Sequence, residues 1–130
     1  MLAAPPGEFD PTSPGLFAGE PSAAVRELLA AISADVRPAT LARELTIMTE
    51  TDLSDLLPEI SVPTLLVWGD CDVRSPLTVA DQFQQAIPDA QLVVITGAGH
   101  LSHLEQPDQV NRALRDFCRA NSPGARRHPR

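Results

Sequence analysis

Lysine and tyrosine are absent from this 130-residue chain, and its ten basic side chains, all arginine, face seventeen acidic ones. The resulting formal charge of -7 argues against a basic surface for nucleic acid. No apolar run approaches the roughly 20 residues needed to span a bilayer, so no membrane partner is expected. Met1–Pro6 shows neither a basic n-region nor an apolar h-region, so no signal peptide is expected and the cytoplasm is the expected location. Cysteine is scarce. Cys71 and Cys118 lie far apart, and without an export signal two reduced thiols are expected rather than a disulfide.

What is present fits one domain or part of one. The hydrophobic fraction of 43% is ordinary, so most of the chain is expected to be ordered. Residues 1–21 are the exception. Pro5, Pro6, Pro11, Pro14 and Pro21, with Gly7, Gly15 and Gly19, oppose both helix and sheet ladders, which predicts an irregular, mobile lead-in. Phe9, Leu16 and Phe17 are its candidates for packing.

A helical segment is predicted over 22–57. Ser22 suits an N-cap, and Val25, Leu28, Leu29 and Ile32 recur at the spacing of one helix face. A second helix is predicted from Pro38, with Leu41, Leu45 and Met48 as its buried stripe. Asp52–Leu57 reads as one further helical turn stopped by Pro58. Plain core packing and a lid over a pocket both fit these helices.

From residue 58 the pattern changes. Thr64–Trp68 is a nearly continuous apolar run, which predicts a strand buried on both faces, with Pro63 near its start and Gly69 at its end. Ser75 as N-cap and Pro76 at the first position open a predicted helix whose stripe is Val79, Phe83, Ala86 and Ile87. Gln91–Thr96 is a second apolar strand. Strand, helix and strand make a parallel βαβ unit. A last helix is predicted over Pro107–Ala120 with Val110, Ala113, Leu114 and Phe117 inward, and 121–130 as a flexible tail. Two parallel strands alone leave unpaired edges, so the apolar edge at 62–68 is expected to self-associate or to receive a separate N-terminal half-domain.

Candidate chemistry lies at the carboxyl ends of the two strands, where open parallel sheets bind ligands. Gly69-Asp70-Cys71-Asp72 leaves the first, and Gly97-Ala98-Gly99-His100 leaves the second. Neighbouring strands lie about 4.8 Å apart, so an Asp and a His on these turns can meet. A carboxylate on one imidazole nitrogen leaves the other free to take a proton from a nucleophile.

These motifs resemble the C-terminal part of an α/β-hydrolase-fold enzyme. The likeness runs through VPTLLVWG, D-C-D-V-R-S-P and IPDAQLVVITGAGHLSHLEQPDQV to the closing helix, roughly residues 50–120. It implies that Asp72, in register with Gly69 and Pro76, is the triad acid and that His100 is the base, in the chain order acid then histidine. Residues 22–57 then correspond to the end of a helical cap, and 58–120 to the C-terminal half of the core. The G-x-S-x-G nucleophile elbow of that family is missing. The nearest stretch, Gly15-Leu16-Phe17-Ala18-Gly19, has Phe in the serine position and no apolar strand before it.

The resemblance implies a hydrolase for small esters, amides or related acyl compounds, with no metal or organic cofactor and with the nucleophile, Ser or Asp, outside this chain. A non-catalytic remnant is the other expectation. Competing assignments remain beside the main pair. Asp72 also suits bracing the turn at Arg74, and Asp70 competes as the acid or is a solvated turn residue. His100, His103 and Glu105 fall short of the roughly four ligands of a closed metal site. Glu105-Gln106-Pro107 reads as a helix start, Ser102 as a turn residue, Cys71 as a nucleophile lacking a base, and Trp68 as core.

Overall fold

The computed structural model describes residues 14–34 and 36–122, in the order helix, helix, 3-10 helix, strand, helix, strand, short helix, helix. The lead-in residues 1–13 with Phe9, and the tail residues 123–130, lie outside the described residues.

Helix α1 spans Ala23–Ala34, and Ser22 caps it by accepting the Val25 N–H on Oγ at 3.3 Å. Helix α2 spans Pro38–Glu50 with proline at its start. Their apolar stripes are not buried, which corrects the sequence expectation. Leu28, Ile32, Leu45 and Met48 are all exposed, because no other part of the described chain lies over them. The following 3-10 helix, Ser54–Glu59, runs through Pro58 instead of stopping before it. A short 3-10 turn tolerates proline because it loses a single i→i+3 bond there. Asp52 opens this turn by accepting the Ser54 N–H at 2.9 Å.

Strands β1 (Thr64–Gly69) and β2 (Ala90–Ile95) form a two-stranded parallel sheet, with Thr64 paired to Ala90 and Gly69 to Ile95 at the two ends. Helix α3, Leu77–Ala86, connects them. Pro76 is the N-cap of α3, one residue later than predicted for the cap. Ser75 is otherwise engaged: its N–H donates to Asp72 and its carbonyl accepts the Trp68 indole N–H. The short helix α4 (Ser102–Glu105) and the closing helix α5 (Pro107–Ala120) follow β2.

The core is small and sits between the sheet and the helices α3 and α5. Ile95, Ala98 and Val110 form its buried centre, with Val67 and Val93 packed against them. Ala80 and Ile87 are buried on α3. Strand β1 is half-buried along most of its length, not buried on both faces, because its outer edge and part of one face lack a neighbour among the described residues. Leu114, expected inward on α5, is 45% exposed.

Residues 14–18 are irregular in backbone but not loose. Leu16 is buried, Phe17 is half-buried, the Leu16 carbonyl accepts the Leu101 N–H at 3.0 Å, and the Pro14 carbonyl accepts Arg74 Nε at 3.3 Å. Proline and glycine forbade regular ladders here without forbidding packing.

Candidate active site

Because β1 and β2 run parallel and in register, their carboxyl ends lie side by side. The turn after β1 carries Asp70, Cys71 and Asp72, and the turn after β2 carries Gly97 to His100. Backbone bonds join the two turns: Asp70 N–H donates to Ile95 O at 3.1 Å, and Cys71 N–H to Ala98 O at 2.9 Å. Gly97 has φ +70°, the left-handed conformation that lets the chain reverse sharply out of β2.

The structure brings Asp72 and His100 together. Asp72 Oδ2 lies 2.9 Å from His100 Nδ1. The Asp72 side chain is 5% exposed and the imidazole 42% exposed. Its other oxygen, Oδ1, accepts the N–H groups of Arg74 and Ser75, each at 2.9 Å. The turn-bracing role and the histidine contact are thus held by the two oxygens of one buried carboxylate. Three hydrogen bonds fix that carboxylate in place and set the ring orientation. With Nδ1 engaged, Nε2 is the nitrogen left to exchange a proton.

Asp70 is the exposed turn residue that the sequence suggested, and its carboxylate is given to the neighbouring turn, not to the histidine ring. Its Oδ1 accepts Gly97 N–H at 2.7 Å, Ala98 N–H at 3.3 Å and the Cys71 thiol at 3.2 Å. These bonds, the thiol first and then the two backbone N–H groups, hold the Asp70 carboxyl below its ordinary value. The same contact pushes the Cys71 thiol up, against thiolate formation. Asp70 thereby latches the histidine turn to the turn after β1. Cys71 and Cys118 are both free thiols.

Glu105, read from sequence as part of a helix start, is engaged through both oxygens. Oε2 accepts Gly99 N–H at 2.6 Å and Oε1 accepts Ala18 N–H at 2.8 Å. Nothing in the sequence marked this contact, since its donors are backbone groups. His103 is exposed on α4, Ser102 is buried at the start of α4, and no cluster of metal-ligating side chains occurs among the described residues. Trp68 is half-buried. Its indole N–H meets Ser75 O at 2.5 Å and its ring lies 6.2 Å from that of Phe83. Gln109 closes the end of β2 by exchanging two bonds with the Thr96 backbone, at 3.4 and 3.2 Å.

A carboxylate and a histidine are thus paired at the carboxyl ends of adjacent parallel strands. Residues 2–113 match the alpha/beta hydrolase family. The chain belongs to that family.

Among its relatives, a pimeloyl-[acyl-carrier protein] methyl ester esterase of Nitrosomonas europaea is 42% identical over 72 residues, which cover 55% of this hydrolase-family chain and 29% of that protein. A 2-hydroxy-6-oxononadienedioate/2-hydroxy-6-oxononatrienedioate hydrolase of Cupriavidus pinatubonensis is 36% identical over 67 residues, 52% of this chain and 23% of that one. An esterase structure from Exiguobacterium antarcticum superposes with a TM-score of 0.74 at 24% identity, covering 78% of this chain and 38% of that one, a likeness of fold. The matched stretch thus spans 29% and 23% of the length of these two curated relatives. Among the described residues, no helix of this α/β-hydrolase chain is long and apolar enough to cross a membrane.

Proposed function

We propose that this chain supplies the acid and base of a nucleophile–His–Asp hydrolase acting on ester, amide or related small acyl substrates. Asp72 holds His100 in the tautomer with Nδ1–H and stabilises the imidazolium, while Nε2 takes the proton of the nucleophile. The nucleophile comes from outside this chain, which contains no G-x-S-x-G sequence. The observation that carries the reading is the 2.9 Å contact between the buried Asp72 carboxylate and His100 Nδ1. A methyl ester esterase among the relatives supports the ester class. Helices α1 and α2 then act as the end of a cap, and strands from an N-terminal half pair with the open edge of β1.

The test is made on the native product, captured from its host with an antibody to residues 58–120. Turnover of a p-nitrophenyl acyl ester is compared between wild type and His100→Ala introduced at the locus. A loss of about 10²–10⁴-fold is the expected result for a general base. Undiminished turnover in His100→Ala would sink the proposal.

A second reading rests on the exposed apolar stripes and the missing elbow: the chain is a non-catalytic remnant or a half-domain awaiting its partner. A captured species of 13.9 kDa with no turnover and no bound second chain supports the remnant.

A further inference from the structure

Glu105 stands at the end of α4, and each of its oxygens holds one backbone N–H. One donor is Gly99, immediately before His100; the other is Ala18, 87 positions away in sequence. On the other side of His100, Leu101 N–H donates to Leu16 O at 3.0 Å. Both neighbours of His100 are therefore tied to one short segment, Leu16–Ala18, directly or through one carboxylate. The approach is backbone to backbone. A Cβ at Gly99 would lie 2.7 Å from Ala18 N and from the Phe17 carbonyl carbon, so only glycine leaves room for the segment. Bonds to an ionised carboxylate are about twice as strong as neutral ones, and the N–H of Gly99, which is buried, is costly to leave without its acceptor, whereas the Ala18 bond is exposed.

We infer that Glu105 is a positioning residue that couples the segment Leu16–Ala18 to the turn carrying His100. Lifting that segment frees Leu101 N–H, the restraint after the histidine, and empties Glu105 Oε1, so that the carboxylate holding Gly99 before the histidine loses its far anchor. When the segment is seated, the turn is clamped and the ring faces Asp72. The seating of Leu16–Ala18 and the orientation of the base are thereby one equilibrium. The inference rests on the reading of His100 as the base, and it adds a control on that base that no side-chain contact to His100 supplies.

The test uses the ¹⁵N-labelled 130-residue chain, diluted below the onset of its association, and two readouts. One is the downfield proton resonance of the His100 Nδ1–H held by Asp72. The other is amide exchange at Ala18, Gly99 and Leu101. Glu105→Gln retains the size of the side chain and removes one acceptor. Exchange at Ala18 or Gly99 is expected to rise at least about tenfold, as for loss of a charge-assisted bond. The His100 resonance broadens or disappears, while amides of β1 and β2 keep their wild-type exchange. Ala18→Pro deletes the donor on the far segment and sets its ring carbon beside Gly99, and it produces the same broadening. A His100 resonance unmoved in both variants overturns the coupling. Asp72→Asn separates the two ideas. If wild type shows no resonance that Asp72→Asn removes, the Asp72–His100 pair fails, and the positioning role fails with it.

Discussion

A single oxygen of Asp70 accepts three donors, from Cys71, Gly97 and Ala98, and these hold its carboxyl below the ordinary aspartate value of 3.8. The pKa is lowered in the folded state, so the stabilisation is full above the ordinary value and is lost as pH falls through the folded one. Asp52 is lowered in the same sense by its bonds from Ser54. Asp70→Asn is therefore expected to flatten the acid limb of stability in part, leaving the share due to Asp52. Urea midpoints of the two proteins at about pH 5 and about pH 2.5 measure this, and parallel acid limbs would refute it. At Asp72 the two oxygens divide the work. Asp72→Ala leaves the Arg74 and Ser75 N–H groups without their acceptor and the ring without its support. It is expected to destabilise the chain by about 1–3 kcal/mol through the stranded donors alone, read by the same urea titration.

Among elements, β2 supplies the centre of the core: Ile95 at its end is 1% exposed and lies with Ala98 and Val110. Ile95→Ala is expected to cost about 2–5 kcal/mol, a large fraction of the stability of a domain this size. Loss of a cooperative urea transition, or a midpoint shifted well down, is the expected observation. Strand β1 is joined to the start of α3 by one side chain: the Trp68 indole N–H reaches Ser75 O. Trp68→Phe keeps the ring beside Phe83 but removes that donor, and is expected to cost about 1 kcal/mol. Helix α1 is different in kind. None of its residues is buried, so its persistence depends on Ser22 and on intrinsic propensity. Ser22→Ala should weaken it by about 1 kcal/mol, seen as faster amide exchange in α1 with no change in β2.

For the whole molecule, apolar surface is distributed unusually. Among the described residues Leu28, Ile32, Leu45, Ile47, Met48, Leu53, Leu56 and Val62 are exposed, while the buried hydrophobics are Leu16, Ala80, Ile87, Ile95, Ala98 and Val110. Exposed apolar surface on this scale, beside a parallel strand with one edge unpaired among the described residues, marks an interface or an association hazard. The isolated 13.9 kDa chain is expected to scatter light as a concentration-dependent oligomer, and the addition of an N-terminal half-domain to suppress that association. A concentration-independent monomer with a single cooperative transition would show instead that the chain covers this surface by itself.

The sequence by itself determined β1, α3, β2 and α5, because a strand buried against helices needs a local apolar run and a helix face needs a 3.6-residue period. It also placed Asp72 and His100 on adjacent strand ends, since chain order and parallel pairing follow from the βαβ pattern. The position of the α3 cap was off by one residue, because Ser75 had been taken up by Asp72 and Trp68. Tertiary structure alone decided the rest. That Asp70 latches the histidine turn, and that Glu105 joins it to Leu16–Ala18, depends on backbone N–H groups. Nearly every residue carries one, so no pattern of side chains announces where they point. The same limit explains the stripes of α1 and α2. Periodicity states that a face needs cover, but where that cover comes from is settled by what packs against it.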